Sequence, residues 1–138
     1  MKSVGKGGLM TRIFLVRHAE STWNPIKKLQ GIQNPPLSTK GTYQAERVAH
    51  RFRFFPLNGL YSSPLLRALQ TAQAIAHVTG LSVEADASLQ ELSFGEWEGK
   101  LLTEVDLDGY RNFLHYWVHM LHTATIKGTE SLEMCRDR

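Results

Sequence analysis

Ile13-Phe14-Leu15-Val16-Arg17-His18-Ala19-Glu20-Ser21-Thr22-Trp23-Asn24 is the stretch around which the rest of the chain arranges itself. Its first four residues are apolar and rich in strand formers, which predicts a short buried strand, central and parallel in its sheet. Arg17 and His18 follow where the apolar run stops. Neighbours in a strand point to opposite faces, so both side chains reach one ligand only if the strand ends there and the chain turns. The carboxyl end of a strand in an α/β sheet is where such sheets bind their ligands. Arg17 and His18 therefore mark a candidate site, and the remaining question is what completes it.

Downstream, Ser21 to Leu37 contains two Asn, two Gln, Gly31 and the prolines Pro25, Pro35 and Pro36. That composition predicts a long loop, of a kind uncommon unless functional. Ser38 offers an N-cap, and Ala45, Val48, Ala49 and Phe52 recur at the spacing of an amphipathic helix that Pro56 stops. Gly59 to Ser62 reads as a second strand. Ser63-Pro64 predicts a helix start, Leu65, Leu69, Ala72 and Ala76 its buried stripe, and Gly80 its end. Leu81 to Ala85 reads as a third strand. This alternation predicts a three-layer α/β/α fold with a mostly parallel sheet and right-handed crossovers. Gly95 to Gly99 is rich in turn residues. Tyr110, Phe113, Leu114, Trp117, Val118 and Leu121 mark a third helix capped by Asp108, and Thr129 to Arg138 reads as the opening of a fourth.

The chain has 138 residues, enough for one domain, with residues 1–10 expected as a disordered lead-in and 11–138 as the domain. Sixteen basic against thirteen acidic residues leave a formal charge of +3. That excess is too small and dispersed to argue for nucleic acid, and it suits a small anionic ligand. Cys135 is the single cysteine, which excludes an intrachain disulfide and suits a reducing compartment. No apolar run approaches the roughly 18 residues of a membrane span. Residues 1–10 lack the apolar core of about 7–15 residues that a secretory signal needs. The expected address is the cytoplasm.

Three further segments carry polar groups near strand ends. They are Ser62-Ser63-Pro64 to Arg67 with Gln70-Thr71-Ala72, then Glu91-Leu92-Ser93-Phe94-Gly95-Glu96-Trp97-Glu98-Gly99, and the loop residues Asn24, Gln30 and Gly31. Together with Arg17-His18 these motifs resemble, in order and across residues 12–99, the histidine phosphatase superfamily with its phosphoglycerate-mutase-like fold. The resemblance implies that His18 is the nucleophile that takes up a phosphoryl group. It implies that Arg17 and Arg67 hold that group, that Glu91 is the proton donor, and that Asn24, Gln30 and Gly31 line the phosphate pocket.

The residue types suit that chemistry. A neutral imidazole attacks phosphorus and splits one hard displacement into two. Planar guanidinium groups match the oxygens of the transferring group. A protonated carboxyl supplies the proton that a leaving alkoxide needs. The scheme needs no metal and no cofactor, and its partner is a small phosphorylated substrate. Phe94-Gly95-Glu96-Trp97-Glu98-Gly99 is similar to the phosphatase branches more than to the glycolytic mutases.

The chain departs from the family pattern in two places. Ala19 stands where the family usually has glycine. The family also carries a second histidine late in the chain, on a strand beside the first, and this sequence has no histidine after His122. Thr129-Glu130-Ser131-Leu132 is similar to the segment that precedes that strand, so the resemblance implies a domain incomplete at its C-terminus. A phosphoglycerate-type mutase and a truncated, non-catalytic phosphate-binding product stand as alternatives, and a sheet short of one strand favours a homo-oligomer. His115, His119 and His122 share one helix face, at a spacing that suits zinc with Cys135 or a carboxylate but more commonly marks a solvated face. Glu96 and Glu98 read as turn or surface residues, Trp97 as packing, and Lys27-Lys28 as a wet loop that also attracts an anionic substrate.

Overall fold

The computed structural model describes residues 11–118 and 129–137; the expected lead-in over residues 1–10, and His119 and His122 of the histidine face, lie outside them. In chain order the elements are helix α1 (Thr39–Phe52), strand β1 (Tyr61–Ser62), helix α2 (Leu66–Thr79), strand β2 (Glu84–Ala85), and helices α3 (Leu107–Val118) and α4 (Leu132–Asp137). Single 3-10 turns cover Ala87–Leu89, Gly95–Trp97 and Leu102–Glu104. β1 and β2 run parallel, with Tyr61 opposite Glu84 and Ser62 opposite Ala85, and α2 makes the crossover between them. The fold is mixed α/β with a parallel sheet.

Ser38 caps α1 as expected, its Oγ accepting from the Gly41 amide at 3.0 Å. Gly41, Ala45, Ala49 and Phe52 are its buried residues, and the helix ends before Pro56. α2 begins at Leu66, later than the Ser63-Pro64 signal predicts. Leu65 stays extended, its amide on Ser63 Oγ at 3.3 Å, and the Leu66 amide is taken by Asn34 Oδ1 at 2.5 Å. The cap thus comes from the long loop, a partner that local sequence cannot reveal. Gly80, at a φ of 74°, closes α2 with its amide on the Ala76 carbonyl. The buried face of α2 is also rotated from the predicted stripe: Arg67, Thr71, Ala72 and Ile75 are its buried residues. Two polar side chains lie on that face because the site, and not only the core, packs against it.

The strand expected over Ile13–Val16 forms no ladder among the described residues. Leu15 is 95% exposed and Ile13 76%. A strand forms only where a neighbour offers carbonyls and amides in register, and none of the described residues lies beside this segment to do so. Its anchor is Phe14, whose ring meets Phe52 edge-on at 5.6 Å and Phe55 at 5.0 Å. The strands predicted over 59–62 and 81–85 are shortened to the rungs around Leu60–Ser62, where Glu84 N–H meets the Leu60 carbonyl and Asp86 N–H the Ser62 carbonyl. α3 is capped by Asp106, not Asp108, since the Asp106 carboxylate accepts from the Asp108 and Gly109 amides.

Two apolar clusters hold these pieces. Ala49, Phe52 and Ile75 join α1 to α2, with Val48, Leu57, Leu60, Ala74 and Val78 packed around them. Trp97 and Val105 form the second cluster with Leu29, Phe94 and Tyr110. Burying a side chain such as Ile75 or Phe52 contributes about 1.5–3 kcal/mol. Isolated antiparallel bridges close the long loop on itself at Ser21 and Leu37, tie it to Leu101 through Lys28, and join Phe94 to Thr129 outside it. Among the described residues no helix is long and apolar enough to cross a membrane.

The chain just after His18 lies against the first turn of α1. Glu20 accepts from the Ser38 amide at 2.8 Å through its carbonyl, and its own amide donates to Gln44 Oε1 at 3.0 Å. Gly41 permits this approach, because a Cβ there would overlap the Glu20 carbonyl oxygen. Helix propensity alone makes Gly41→Ala stabilising by about 1 kcal/mol. The overlap reverses the sign, and the expected outcome is destabilisation by about 1–3 kcal/mol, read as a lower urea midpoint at unchanged slope.

Candidate active site

His18 is positioned from its downstream side. Its Nδ1 lies 2.7 Å from the Ala19 carbonyl oxygen. A carbonyl only accepts, so Nδ1 carries the proton and Nε2 keeps the lone pair. The Ala19 amide in turn donates to Thr71 Oγ1 at 3.1 Å, and Thr71 Oγ1 donates to the Arg67 carbonyl at 2.8 Å. Thr71 stands four residues after Arg67, one turn along the same face of α2, so a single face of α2 carries Arg67 and steadies the histidine.

Arg67 is 2% exposed. Its Nη1 donates to the Gln33 carbonyl at 2.8 Å and its Nη2 to the Gly31 carbonyl at 2.9 Å. Burial works against the charge and holds this guanidinium below its ordinary value, while the carboxylates of Glu91 and Glu98 support it. Gly31, buried at a φ of 48°, admits the Glu98 carboxylate where a Cβ would collide with it. The fully buried Ser21 organises the loop: its amide donates to Asn24 Oδ1 at 2.7 Å and its hydroxyl to Gln30 Oε1 at 2.6 Å. With both amide oxygens engaged, the NH2 ends of Asn24 and Gln30 are what remain for an anion.

These groups surround one cavity of about 300 Å³, lined by Arg17, His18, Asn24, Gln30, Gly31, Arg67 and Glu91. The structure thus places every residue that the sequence singles out for the site on the same wall-to-wall space. Lys27, Lys28, Leu29, Phe94, Leu102 and Tyr110 complete the lining. Glu91 is exposed, and its Oε1 accepts from the Leu92 amide at 2.9 Å. Lys28 lies over the Trp23 ring, its Nζ 4.5 Å from the centroid, and Lys27 adopts a φ of 54°. A lysine in the left-handed region is a strained choice, tolerated where the surroundings fix it; here the Leu102 amide donates to its carbonyl at 2.9 Å.

Charge and burial set the protonation of the site. The His18 imidazole is held below the ordinary histidine value, chiefly by burial and then by the Arg67 and Arg17 guanidiniums, against the pull of the Ala19 hydrogen bond and Glu91. It is therefore neutral at pH 7. Burial, with Glu91 nearby, raises the Tyr110 phenol, which keeps it a donor. Four cations and one carboxylate on a small cavity suit a compact anion bearing more than one negative charge. Among the described residues no group of three His, Cys, Asp or Glu side chains is placed to hold a metal ion, and of the histidine face only His115, exposed on α3, falls within them.

Several residues of the site carry no signal in the sequence on their own. Thr71 acts on the backbone of Ala19 and Arg67, Ser21 on the side chains of Asn24 and Gln30, and the i, i+4 spacing of Arg67 and Thr71 is the one clue to the first. Glu98, expected as a turn or surface residue, is half-buried with its carboxylate against the Gly31–Gln33 turn.

Comparison with known proteins identifies the family. A family model described as the histidine phosphatase superfamily (branch 1) matches residues 13–138. The chain is 38% identical over 129 residues to phosphoserine phosphatase 1 of Hydrogenobacter thermophilus, which covers 94% of this chain and 61% of the relative. It is 36% identical over 132 residues to a probable phosphoglycerate mutase of Salmonella choleraesuis, covering 94% and 60%. Among solved structures, YhfR of Bacillus stearothermophilus superposes with a TM-score of 0.74 at 30% identity, over 88% of this chain and 59% of that one. A mycobacterial glucosyl-3-phosphoglycerate phosphatase in complex with VO3 gives 0.72 at 30% identity, over 83% and 54%. The chain spans about three fifths of the length of the curated relatives it matches. With the family model matched over all but the first residues, the chain belongs to the histidine phosphatase superfamily, branch 1.

Proposed function

We propose that this chain carries the phosphoryl-accepting half-site of a phosphomonoester hydrolase, with His18 as nucleophile, Arg17 and Arg67 as phosphoryl clamps and Glu91 as proton donor. The observation that carries this reading is the Nδ1–H bond of His18 to Ala19, which leaves Nε2 as an unprotonated nucleophile on a cavity ringed by cations. The Nε2 lone pair attacks phosphorus in line and the ester P–O bond breaks. The leaving oxygen takes the proton of a protonated Glu91. The remaining carboxylate then accepts a proton from water as that water attacks the phosphohistidine, which releases inorganic phosphate and restores the imidazole. Arg17 and Arg67 stabilise the charge spread over the three transferring oxygens in both steps. Asn24, Gln30 and Gly31 shape the pocket. The substrate is a small phosphorylated metabolite of the cytoplasm.

A mutase reading draws support from the similarity to a probable phosphoglycerate mutase. It differs in one outcome: a mutase returns the phosphoryl group to a second hydroxyl and depends on a bisphosphate primer, whereas the hydrolase releases phosphate to water.

The primary test is para-nitrophenyl phosphate hydrolysis by the 138-residue chain and its His18→Ala variant, both checked for folding by circular dichroism. Turnover that disappears in His18→Ala is expected, with an acid-labile, alkali-stable phosphoenzyme trapped in the unaltered chain. Arg67→Ala is expected to lose on the order of 10²–10³ in kcat. Folded protein whose turnover does not depend on His18 would sink the hydrolase reading.

The same reading fixes a pH dependence. Because the His18 pKa is lowered, its neutral form persists below pH 6.5, and the acidic limb of kcat/KM should fall below that value. Arg17→Gln removes a cation and should move the His18 titration, followed by NMR, upward toward 6.5; Glu91→Gln removes an anion and should move it further down. Shifts of the opposite sign would mean that the two groups do not face the imidazole.

A further inference from the structure

We infer that Glu98 is a positioning residue, which holds together the two walls of the cavity and thereby sets the carbonyls that aim Arg67. The inference rests on the reading of Arg67 as the phosphate clamp. Glu98 Oε1 accepts from the Ile32 amide at 3.1 Å, the Phe94 amide at 2.9 Å and Ser93 Oγ at 3.2 Å, and Oε2 accepts from Gln33 Nε2 at 3.0 Å. One carboxylate therefore ties a turn of the long loop to the segment just after Glu91.

What it ties on the loop side is the Gly31–Gln33 turn, and the carbonyls of Gly31 and Gln33 are the acceptors of the buried Arg67 guanidinium. The Glu98 side chain occupies the space that a Cβ at Gly31 would need, so the glycine and the carboxylate are matched to each other. On the other side, the Ser93 carbonyl accepts from the Glu130 amide at 3.0 Å, and Phe94 bridges to Thr129. The wall that carries Glu91 is thus anchored before Glu98 reaches across. Its charge also lies near Arg67 and helps to keep that buried guanidinium ionised. Removing the carboxylate takes the Glu98 acceptor from the Ile32 amide and lets the turn relax. A displacement of about 1 Å at a phosphate clamp costs on the order of 10²-fold in rate.

Glu98→Ala and Glu98→Gln separate aim from mere stability. Glutamine keeps an oxygen for Ile32, Ser93 and Phe94, and the Gln33 amide can turn to accept from its NH2. Inorganic phosphate affinity is measured by calorimetry well below each unfolding midpoint, in a double-mutant cycle with Arg67→Met. Glu98→Ala is expected to weaken phosphate by roughly 10-fold or more and to lower kcat/KM on the order of 10²-fold, mainly through kcat. Glu98→Gln should restore most of both. In the Arg67→Met background Glu98→Ala should change phosphate affinity by less than about 2-fold, because the groups act as one unit. The Arg67 guanidinium NMR signal should shift in Glu98→Ala without any ligand. Full additivity in the cycle, or an unmoved Arg67 signal, overturns the inference. An Arg67 signal that moves in a chain that binds no phosphate keeps the positioning role and rejects the phosphate reading instead.

Discussion

The buried guanidinium of Arg67 is the constraint from which most of the site follows. Removing such a cation from water costs several kcal/mol unless hydrogen bonds replace the lost hydration. Here the replacement is made by two backbone carbonyls, from Gly31 and Gln33. That choice has consequences along the whole loop. The Gly31–Gln33 turn must present two carbonyls inward, which requires the left-handed glycine and turns the Ile32 amide toward Glu98. The face of α2 that carries Arg67 must be buried, which draws Thr71 into contact with the Ala19 amide. A loop with three prolines is held in part by one side chain from a neighbouring helix, beside the bonds of Ser21 and Glu98.

Electrostatics then divides the labour. Carbonyls can neutralise part of the Arg67 charge, but they leave its field in the cavity, where it joins Arg17, Lys27 and Lys28. Burial is the main reason that the nearby imidazole resists protonation, and the Arg67 and Arg17 guanidiniums push in the same direction. Burial and the two guanidiniums together keep the imbalance of charge in the cavity positive and the imidazole neutral. Glu91 moderates the field, acting on both His18 and Arg67 against the cations and burial.

The parts of this arrangement that were legible in the sequence are those encoded within a few residues. Arg17-His18 after an apolar run, Ser38 before an amphipathic stripe and Gly80 at a helix end each state their role locally. What depends on a distant partner was not legible. Ile13–Val16 has the composition of a buried strand, yet composition reports only a preference for burial, and pairing needs a neighbour. The start of α2 moved because its cap, Asn34, lies in another segment. Glu98 looked like a turn residue because its four donors come from Ile32, Gln33, Ser93 and Phe94, two of them more than sixty residues away. Carboxylates that accept from backbone amides carry no periodicity, so only the folded geometry shows which of Glu96 and Glu98 turns inward.

The placement of His18 shows how the two kinds of information meet. Upstream, Ile13–Val16 gains no ladder among the described residues, and the Phe14 ring packs against Phe52 and Phe55. Downstream, consecutive residues are held by side chains from both helices: Ala19 by Thr71 of α2, Glu20 by Gln44 of α1 and by Ser38. His18 is therefore positioned by hydrogen bonds that follow it in the chain. Such bonds act over short distances and fix direction, so the imidazole is aimed without a paired strand before it. It follows that Thr71 and Gly41, neither of which touches the cavity, stand closer to the chemistry than Leu15, three residues from His18 in sequence.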